Sequence, residues 1–161
     1  MKAALLLAGL ACAFALLQGC GQPGSGGAPG RKRPCVVFPD GWVVQVDLAV
    51  TDDERARGLM FVRELPPERG KLFLFERAEV RPFWMKNCYI PLDLIWLDGN
   101  NRIVDITKQA PPCAEDPCPN YYPSVPALNV LEVQGGMAEA HGLAVGDVLV
   151  FVDVPPLQPG S

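Results

Sequence analysis

Six polar or aromatic side chains stand in otherwise apolar stretches, and their types could bind a ligand or move a proton. They are Arg57, Trp84, Lys86, Asn87, Asp93 and Glu132. Asp93 lies between two leucines and Glu132 lies between a leucine and a valine, so each carboxyl needs a partner or must take up a proton. Packing alone does not require polar groups at such positions. These six residues therefore form the predicted ligand-binding set.

Two interpretations of the segment 83–87, Phe-Trp-Met-Lys-Asn, remain open. In the first it is a core strand with Lys86 at the rim. In the second Trp84, Lys86 and Asn87 form a binding face, because aromatic surface with a few polar anchors is typical of modules that bind sugars or peptides. Asp93 has the same ambiguity: it either pairs with Arg57 or Lys86 or faces a ligand.

The chain offers few routes to catalysis. Asp93 and Glu132 could perform acid–base hydrolysis if their carboxyls lay about 5 to 10 Å apart. Cys88 with His141 is the single thiol–imidazole combination to consider, and His141 precedes Gly142, where capping of a helix end is the ordinary role. No phosphate loop, dinucleotide fingerprint or nucleophile elbow is present. We therefore assign no catalytic residue and favour a non-catalytic binding or interaction module, with a paired-carboxylate hydrolase as the alternative.

Composition excludes further classes of protein. The chain has 161 residues, enough for one domain, with 14 Lys and Arg, 18 Asp and Glu, and a single His. A formal net charge of −4 argues against a nucleic-acid partner, which would require a basic face. One histidine excludes a multi-histidine metal site, and we predict neither a metal nor a cofactor.

The N-terminus predicts export and lipid anchoring. Residues 1–19 contain a basic start and an apolar run shorter than the roughly 20 residues that span a membrane, as in a signal peptide. The run ends in Leu-Gln-Gly-Cys, which resembles a bacterial lipobox, so Cys20 is the predicted lipidated residue and residues 20–34 a Gly- and Pro-rich tether. Gly21 rather than Asp follows Cys20, which favours the outer membrane, facing the periplasm. The predicted partners are the membrane, through this lipid, and an unknown small polar ligand or envelope protein.

Four cysteines remain in the expected exported domain, and an even number predicts disulfides. Cys113 and Cys118 share one proline-rich loop and are predicted to form a local bridge. Cys35 with Cys88 is the default second pair, and a free, buried Cys88 is the open alternative.

The pattern of elements predicts a mainly β domain over residues 35–154, followed by a loose tail at 155–161. Residues 42–50 alternate as in a half-buried strand, and Thr51 with Glu54 forms a capping-box pattern before a short helix that ends near Gly58. Asp98 to Asn101 is a hairpin turn signal. We expect about seven short strands and two short helices in a compact barrel-like or strongly bent sheet.

Several segments carry a resemblance to a known family. They are Arg57 to Met60, Gly70 to Phe75, Phe83 to Asp93, Val130 to Gly136 and Gly142 to Val148. Together they resemble domain of unknown function 192, also called uncharacterised protein family 0127, over about residues 43–152. The resemblance implies a small, mainly β domain, often exported, without an agreed activity. Cys88 departs from the family pattern, which usually has Thr there, so an essential role for this side chain is not implied.

Overall fold

The computed structural model describes residues 33–157 of the chain. The predicted signal peptide, Cys20, most of the tether and the end of the tail lie outside these residues. The strands are β1 (Cys35–Val37), β2 (Val43–Ala49), β3 (Arg69–Phe73), β4 (Phe83–Trp84), β5 (Leu92–Leu97), β6 (Ile103–Ala110), β7 (Asn120–Tyr121), β8 (Asn129–Gln134) and β9 (Val150–Val152). The helices are α1 (Asp52–Arg57) and α2 (Met137–Ala140).

Seven of these strands form one sheet in the order β6-β5-β8-β3-β2-β1-β9, and β4 pairs with β7 in a separate ribbon. The sheet curls into a half-barrel, and backbone hydrogen bonds join the start of β6 to the segment that precedes β9. The Ile103 N–H donates to the Asp147 carbonyl at 2.8 Å, and the Leu149 N–H donates to the Asn101 carbonyl at 3.0 Å. The prediction of a mainly β, strongly bent sheet of about seven strands with two short helices is confirmed.

Helix α1 forms where the capping-box pattern places it. The Thr51 hydroxyl accepts a hydrogen bond from the Glu54 N–H at 3.3 Å, and the Glu54 carboxylate accepts one from the Thr51 N–H at 3.0 Å. Gly58 ends the helix with a φ of 48°, a conformation that disfavours side chains. The helix connects β2 to β3, which are parallel and therefore need a crossover rather than a tight turn. Among residues 33–157 no helix is long and apolar enough to span a membrane.

The sheet has two apolar faces, each covered by different elements. On the first, which we call the α2 face, Leu72, Ile95, Leu131 and Val133 pack with Met137 and Ala138 of α2. On the second, the Trp96 face, Phe73, Leu94, Trp96 and Val130 pack with Leu59, Met85 and Cys88. Successive residues of a strand point to opposite faces of the sheet. The side chain of each acid in β5 or β8 therefore points either to the α2 face or to the Trp96 face.

The structure confirms one of the two disulfides predicted from the sequence and contradicts the other. Cys113 and Cys118 form a disulfide, as expected from their shared loop. The default pairing of Cys35 with Cys88 is wrong, because Cys88 is a buried free thiol, and the alternative is confirmed. Cys88 lies on the Trp96 face, surrounded by core side chains, whereas Cys35 belongs to β1.

Candidate functional site

A narrow pocket opens on the Trp96 face and reaches the carboxyl group of Glu132. We call it the Glu132 pocket; its lining residues are Arg55, Ala56, Arg57, Gly58, Leu59, Met60, Phe73, Phe83, Trp84, Cys88 and Glu132. Its cavity volume is about 20 Å³, enough for one water-sized group. Three of the segments that carry the family resemblance, around residues 57–60, 83–88 and 130–136, supply most of the lining.

Gly58 leaves the space above the Glu132 carboxyl open. A Cβ atom at Gly58 would lie 3.3 Å from the Phe73 ring and 3.7 Å from Glu132 Oε2. The crossover of α1 between parallel strands places Gly58 there, directly over β3 and its neighbour β8. The helix end therefore forms the roof of the pocket, and the absence of a side chain at Gly58 determines its depth.

Two left-handed residues join the loops at the pocket. Phe61 has a φ of 66° and Asn87 a φ of 57°, conformations that are uncommon for residues other than glycine. The Phe61 N–H donates to the Asn87 carbonyl at 2.8 Å, and Asn87 Nδ2 lies 3.8 Å from Met60 Sδ. Strained backbone of this kind clusters at functional sites. Here it fixes the loop after α1 against the loop after β4.

Glu132 is a buried acid whose carboxyl is incompletely hydrogen bonded. The residue is 4% exposed, and within the described part of the chain Oε2 has no hydrogen-bond partner. Burial raises the pKa of Glu132 to about 8, and Lys71, its register partner on β3, only partly opposes this rise. At neutral pH the carboxyl is therefore mostly protonated and can donate a hydrogen bond as well as accept one.

Cys88 shares the pocket with Glu132 but is poorly suited to nucleophilic chemistry. Burial raises the pKa of the Cys88 thiol to about 11, and the neighbouring Glu132 charge raises it further. Since the thiolate is the nucleophile, this environment suppresses reactivity near neutral pH. The thiol contributes a small apolar wall.

Trp84 stands at the outer edge of the pocket and is 47% exposed. The Lys86 ammonium lies 5.7 Å from the centre of its ring and forms an ion pair with Asp116 at 2.8 Å. Asp116 belongs to the disulfide loop, and the Cys113 N–H donates to the Met85 carbonyl. The disulfide loop is thus held beside the exposed tryptophan ring.

Asp93 lies on the opposite face of the sheet from the Glu132 pocket. Its carboxylate is fully buried on the α2 face, where it accepts hydrogen bonds from the N–H groups of Gln109 at 2.7 Å, Gly136 at 3.0 Å and Ala138 at 2.7 Å. The prediction that Arg57 or Lys86 pairs with Asp93 is wrong. Three backbone amides compensate the buried charge, two of them at the start of α2.

The two catalytic arrangements considered from the sequence are not assembled. Asp93 is the register partner of Val133, and Leu94 is the partner of Glu132, so the two carboxyls point to opposite faces of the sheet. The hydrolase alternative, which requires both acids in one cleft, loses its basis. His141 caps α2 as expected, and its Nδ1 lies 2.6 Å from Asp40 Oδ2 on the α2 side, away from Cys88.

Of the six predicted site residues, Arg57, Trp84 and Glu132 share the Glu132 pocket. Lys86 and Asn87 lie beside it, through contacts to Trp84 and Met60. Asp93 is separated from them. Sequence reasoning did not select Gly58, Met60, Phe73, Phe83 or Cys88 as lining residues. The position of all five within the family-like segments was the available signal, but pairing these segments requires the topology.

A larger groove of about 620 Å³ lies near the C-terminal end of the described chain. Its lining includes Leu74, Leu128, Phe151 and Leu157, and it contains none of the predicted site residues. Among residues 33–157 no three His, Cys, Asp or Glu side chains are grouped so that they could hold a metal ion. The larger groove has a buried amide, Asn129, in its lining, whereas the Glu132 pocket has a buried carboxyl group in its lining.

The fold and this pocket characterise the chain as a small half-barrel domain with a buried acid beneath a crossover helix. The chain belongs to the family domain of unknown function 192, described as "Uncharacterized ACR", whose model matches residues 36–151. No curated protein matches the chain significantly.

Two solved structures are similar to the chain. A protein of unknown function from Novosphingobium aromaticivorans DSM 12444 is 34% identical, with a TM-score of 0.68, over 81% of this chain and 94% of that one. A protein from Sinorhizobium meliloti 1021, provisionally described as a transcription regulator, is 31% identical, with a TM-score of 0.66, over 74% of this chain and 92% of that one. Both similarities extend over nearly the whole of the other protein.

Proposed function

We propose that the protein is a non-catalytic binding module whose ligand site is the Glu132 pocket. The observation that carries this proposal is the buried Glu132 Oε2, which has no hydrogen-bond partner among the described residues and belongs to a residue that lines the pocket. An unsatisfied buried polar atom costs free energy of about 1 to 3 kcal/mol. A ligand that supplies the missing hydrogen bond recovers part of that cost.

The surroundings of the pocket support binding rather than catalysis. The neighbouring thiol has a raised pKa, and the second buried acid lies on the other face of the sheet. The half-exposed Trp84 ring offers apolar contact area at the mouth, and the left-handed Phe61 and Asn87 fix the walls. A preorganised site of this kind binds without a large cost in conformational entropy.

A screen of small polar compounds by thermal shift on the full chain tests this proposal. A ligand present at 100 times its dissociation constant adds about 2.7 kcal/mol to the free energy of unfolding. We expect the effect to be lost in Trp84→Ala and retained in Trp42→Ala. Trp42 is a matched control because it is also partly exposed, at 38%, but stacks on His141 away from the pocket. Compounds that stabilise both variants equally would contradict the proposed site.

We further propose that the module is anchored by a lipid on Cys20 to the outer membrane, facing the periplasm, with residues 20–34 as the tether. The lipobox-like sequence and the confirmed disulfide between Cys113 and Cys118 support this localisation, since disulfides persist in oxidising compartments. Intact-mass measurement of the membrane fraction should find a diacylglyceryl group on an N-terminal Cys20. A Cys20→Ala chain that remained membrane-bound would refute the anchor.

A further inference from the structure

The charges around the Glu132 pocket are mainly positive and only partly compensated. Arg55 is fully engaged, because its guanidinium donates to the Val50 and Leu74 carbonyls and pairs with Asp52. Arg57 is exposed at the pocket and, among residues 33–157, no group accepts a hydrogen bond from its guanidinium. The rim therefore carries an unpaired guanidinium, the group best suited to bind a carboxylate through two hydrogen bonds.

The group at the base of the pocket, the Glu132 carboxyl, adds a hydrogen-bond donor to the positive charge at the rim. The Glu132 carboxyl is mostly protonated at neutral pH, so it presents a donor rather than a negative charge to an incoming group. Lys71 on β3 is the charged group that acts on the Glu132 carboxyl, and Glu54 of α1 lies near Lys71. Arg55 and Arg57 of α1 and Cys88 from the loop after β4 line the pocket. Asp52 offsets the charge of Arg55 and Glu54 offsets that of Lys71, so an entering group meets the positive charge of Arg57, which attracts an anion rather than a cation.

We propose that the Glu132 pocket binds the carboxylate end of a small organic acid, a ligand class that rests on the proposed binding function. One carboxylate oxygen enters beside Glu132 Oε2, and the other pairs with the Arg57 guanidinium at the rim. The cavity of about 20 Å³ admits one oxygen but not the rest of the ligand. The apolar stem of the acid therefore lies outside, against the exposed face of Trp84.

Three probes of nearly identical shape test the charge requirement: phenylacetate, phenylacetamide and phenethylamine. They are titrated into the full chain at pH 7 while NMR follows the Glu132 side-chain carboxyl carbon and the Trp84 indole N–H. We expect phenylacetate to bind with a dissociation constant on the order of 1 mM and the other two at least about tenfold more weakly. Equal or tighter binding of the amide or the amine at these signals would overturn the inference while leaving the proposed binding function intact.

Two variants locate the carboxylate. Arg57→Leu should weaken phenylacetate binding about tenfold, because a charge-assisted bidentate contact is lost. Arg77→Leu should not, since Arg77 is a well-exposed arginine near Glu79 and away from the pocket. If Arg57→Leu binds phenylacetate as tightly as the unmodified chain, the inference is wrong.

The proton on Glu132 provides an independent readout. Raising the pH from 7 to 9 ionises this carboxyl and should weaken phenylacetate binding about tenfold, whereas Glu132→Gln, whose amide still donates, should show no such change. No response of the Glu132 carboxyl signal to phenylacetate at any pH would mean that the pocket holds only water, and would overturn the inference.

Discussion

Asp93 and Glu132 lie on adjacent strands one register position apart, and their carboxyl groups point to opposite faces of the same sheet. Both are buried, but their environments differ. Asp93 accepts hydrogen bonds from three backbone N–H groups and secures the start of α2. Within residues 33–157, Oε2 of Glu132 has no hydrogen-bond partner, and the residue lines a pocket. One acid therefore stabilises the fold, and the other is the proposed contact for a ligand.

Replacing Asp93 should weaken the fold. Asp93→Asn removes the negative charge that three N–H groups share and turns an amide NH₂ towards one of them, so we expect a loss of about 1.5 to 3 kcal/mol in the free energy of unfolding. Glu64→Gln, an acid-to-amide change at an exposed position, should change it by less than about 0.5 kcal/mol. Urea unfolding measures both, and similar effects of the two variants would contradict the structural role of Asp93.

The stability of the domain should decrease with rising pH because of Glu132. Its pKa is about 8 in the folded state and near 4.5 when unfolded, so between these values the folded state binds more protons than the unfolded one. The penalty is absent below about pH 4.5, grows by up to roughly 1.4 kcal/mol per pH unit, and is complete above about pH 8. Comparing urea unfolding of the unmodified chain and Glu132→Gln from pH 5 to pH 9 isolates this contribution. A constant difference between them across that range would refute it.

Gly70 is required where β3 passes β8. A Cβ atom there would lie 2.8 Å from the Glu132 carbonyl oxygen, a backbone atom that cannot move without distorting the sheet. Gly70→Ala should therefore cost about 1 to 3 kcal/mol. Gly99→Ala is the control, since its Cβ would make an ordinary 3.7 Å contact with Leu128. Thermal unfolding should separate the two variants, and an unchanged Gly70→Ala midpoint would show that the close approach is relieved elsewhere.

The disulfide between Cys113 and Cys118 should stabilise the chain locally. Replacing both cysteines with serine opens a loop of about six residues and should cost about 2 kcal/mol on the chain-entropy model. Because the bridge lies outside the seven-stranded sheet, the fold should persist, with faster amide exchange confined to the β4–β7 ribbon. Non-reducing peptide mapping checks the bridge itself. Exchange that accelerates throughout β5 and β8 would contradict a local effect.

The sequence by itself determined the features that depend on nearby residues. The capping box of Thr51 and Glu54, the end of α1 at Gly58 and the bridge between Cys113 and Cys118 each form within one short segment, so residue type and spacing predict them. The mainly β class follows from the same local patterns, and the family follows from five short segments.

Only the tertiary structure decided the environment of each polar group. Both buried acids stand between apolar residues, and the pattern alone assigns neither of them to a face. The pairing of β5 with β8 places Asp93 opposite Val133 and leaves Glu132 beneath α1. A shift of one residue in this register would turn one of the two strands over and place both acids on the same face. Register depends on pairing between strands distant in sequence, and this long-range pairing determines which acid reaches the pocket.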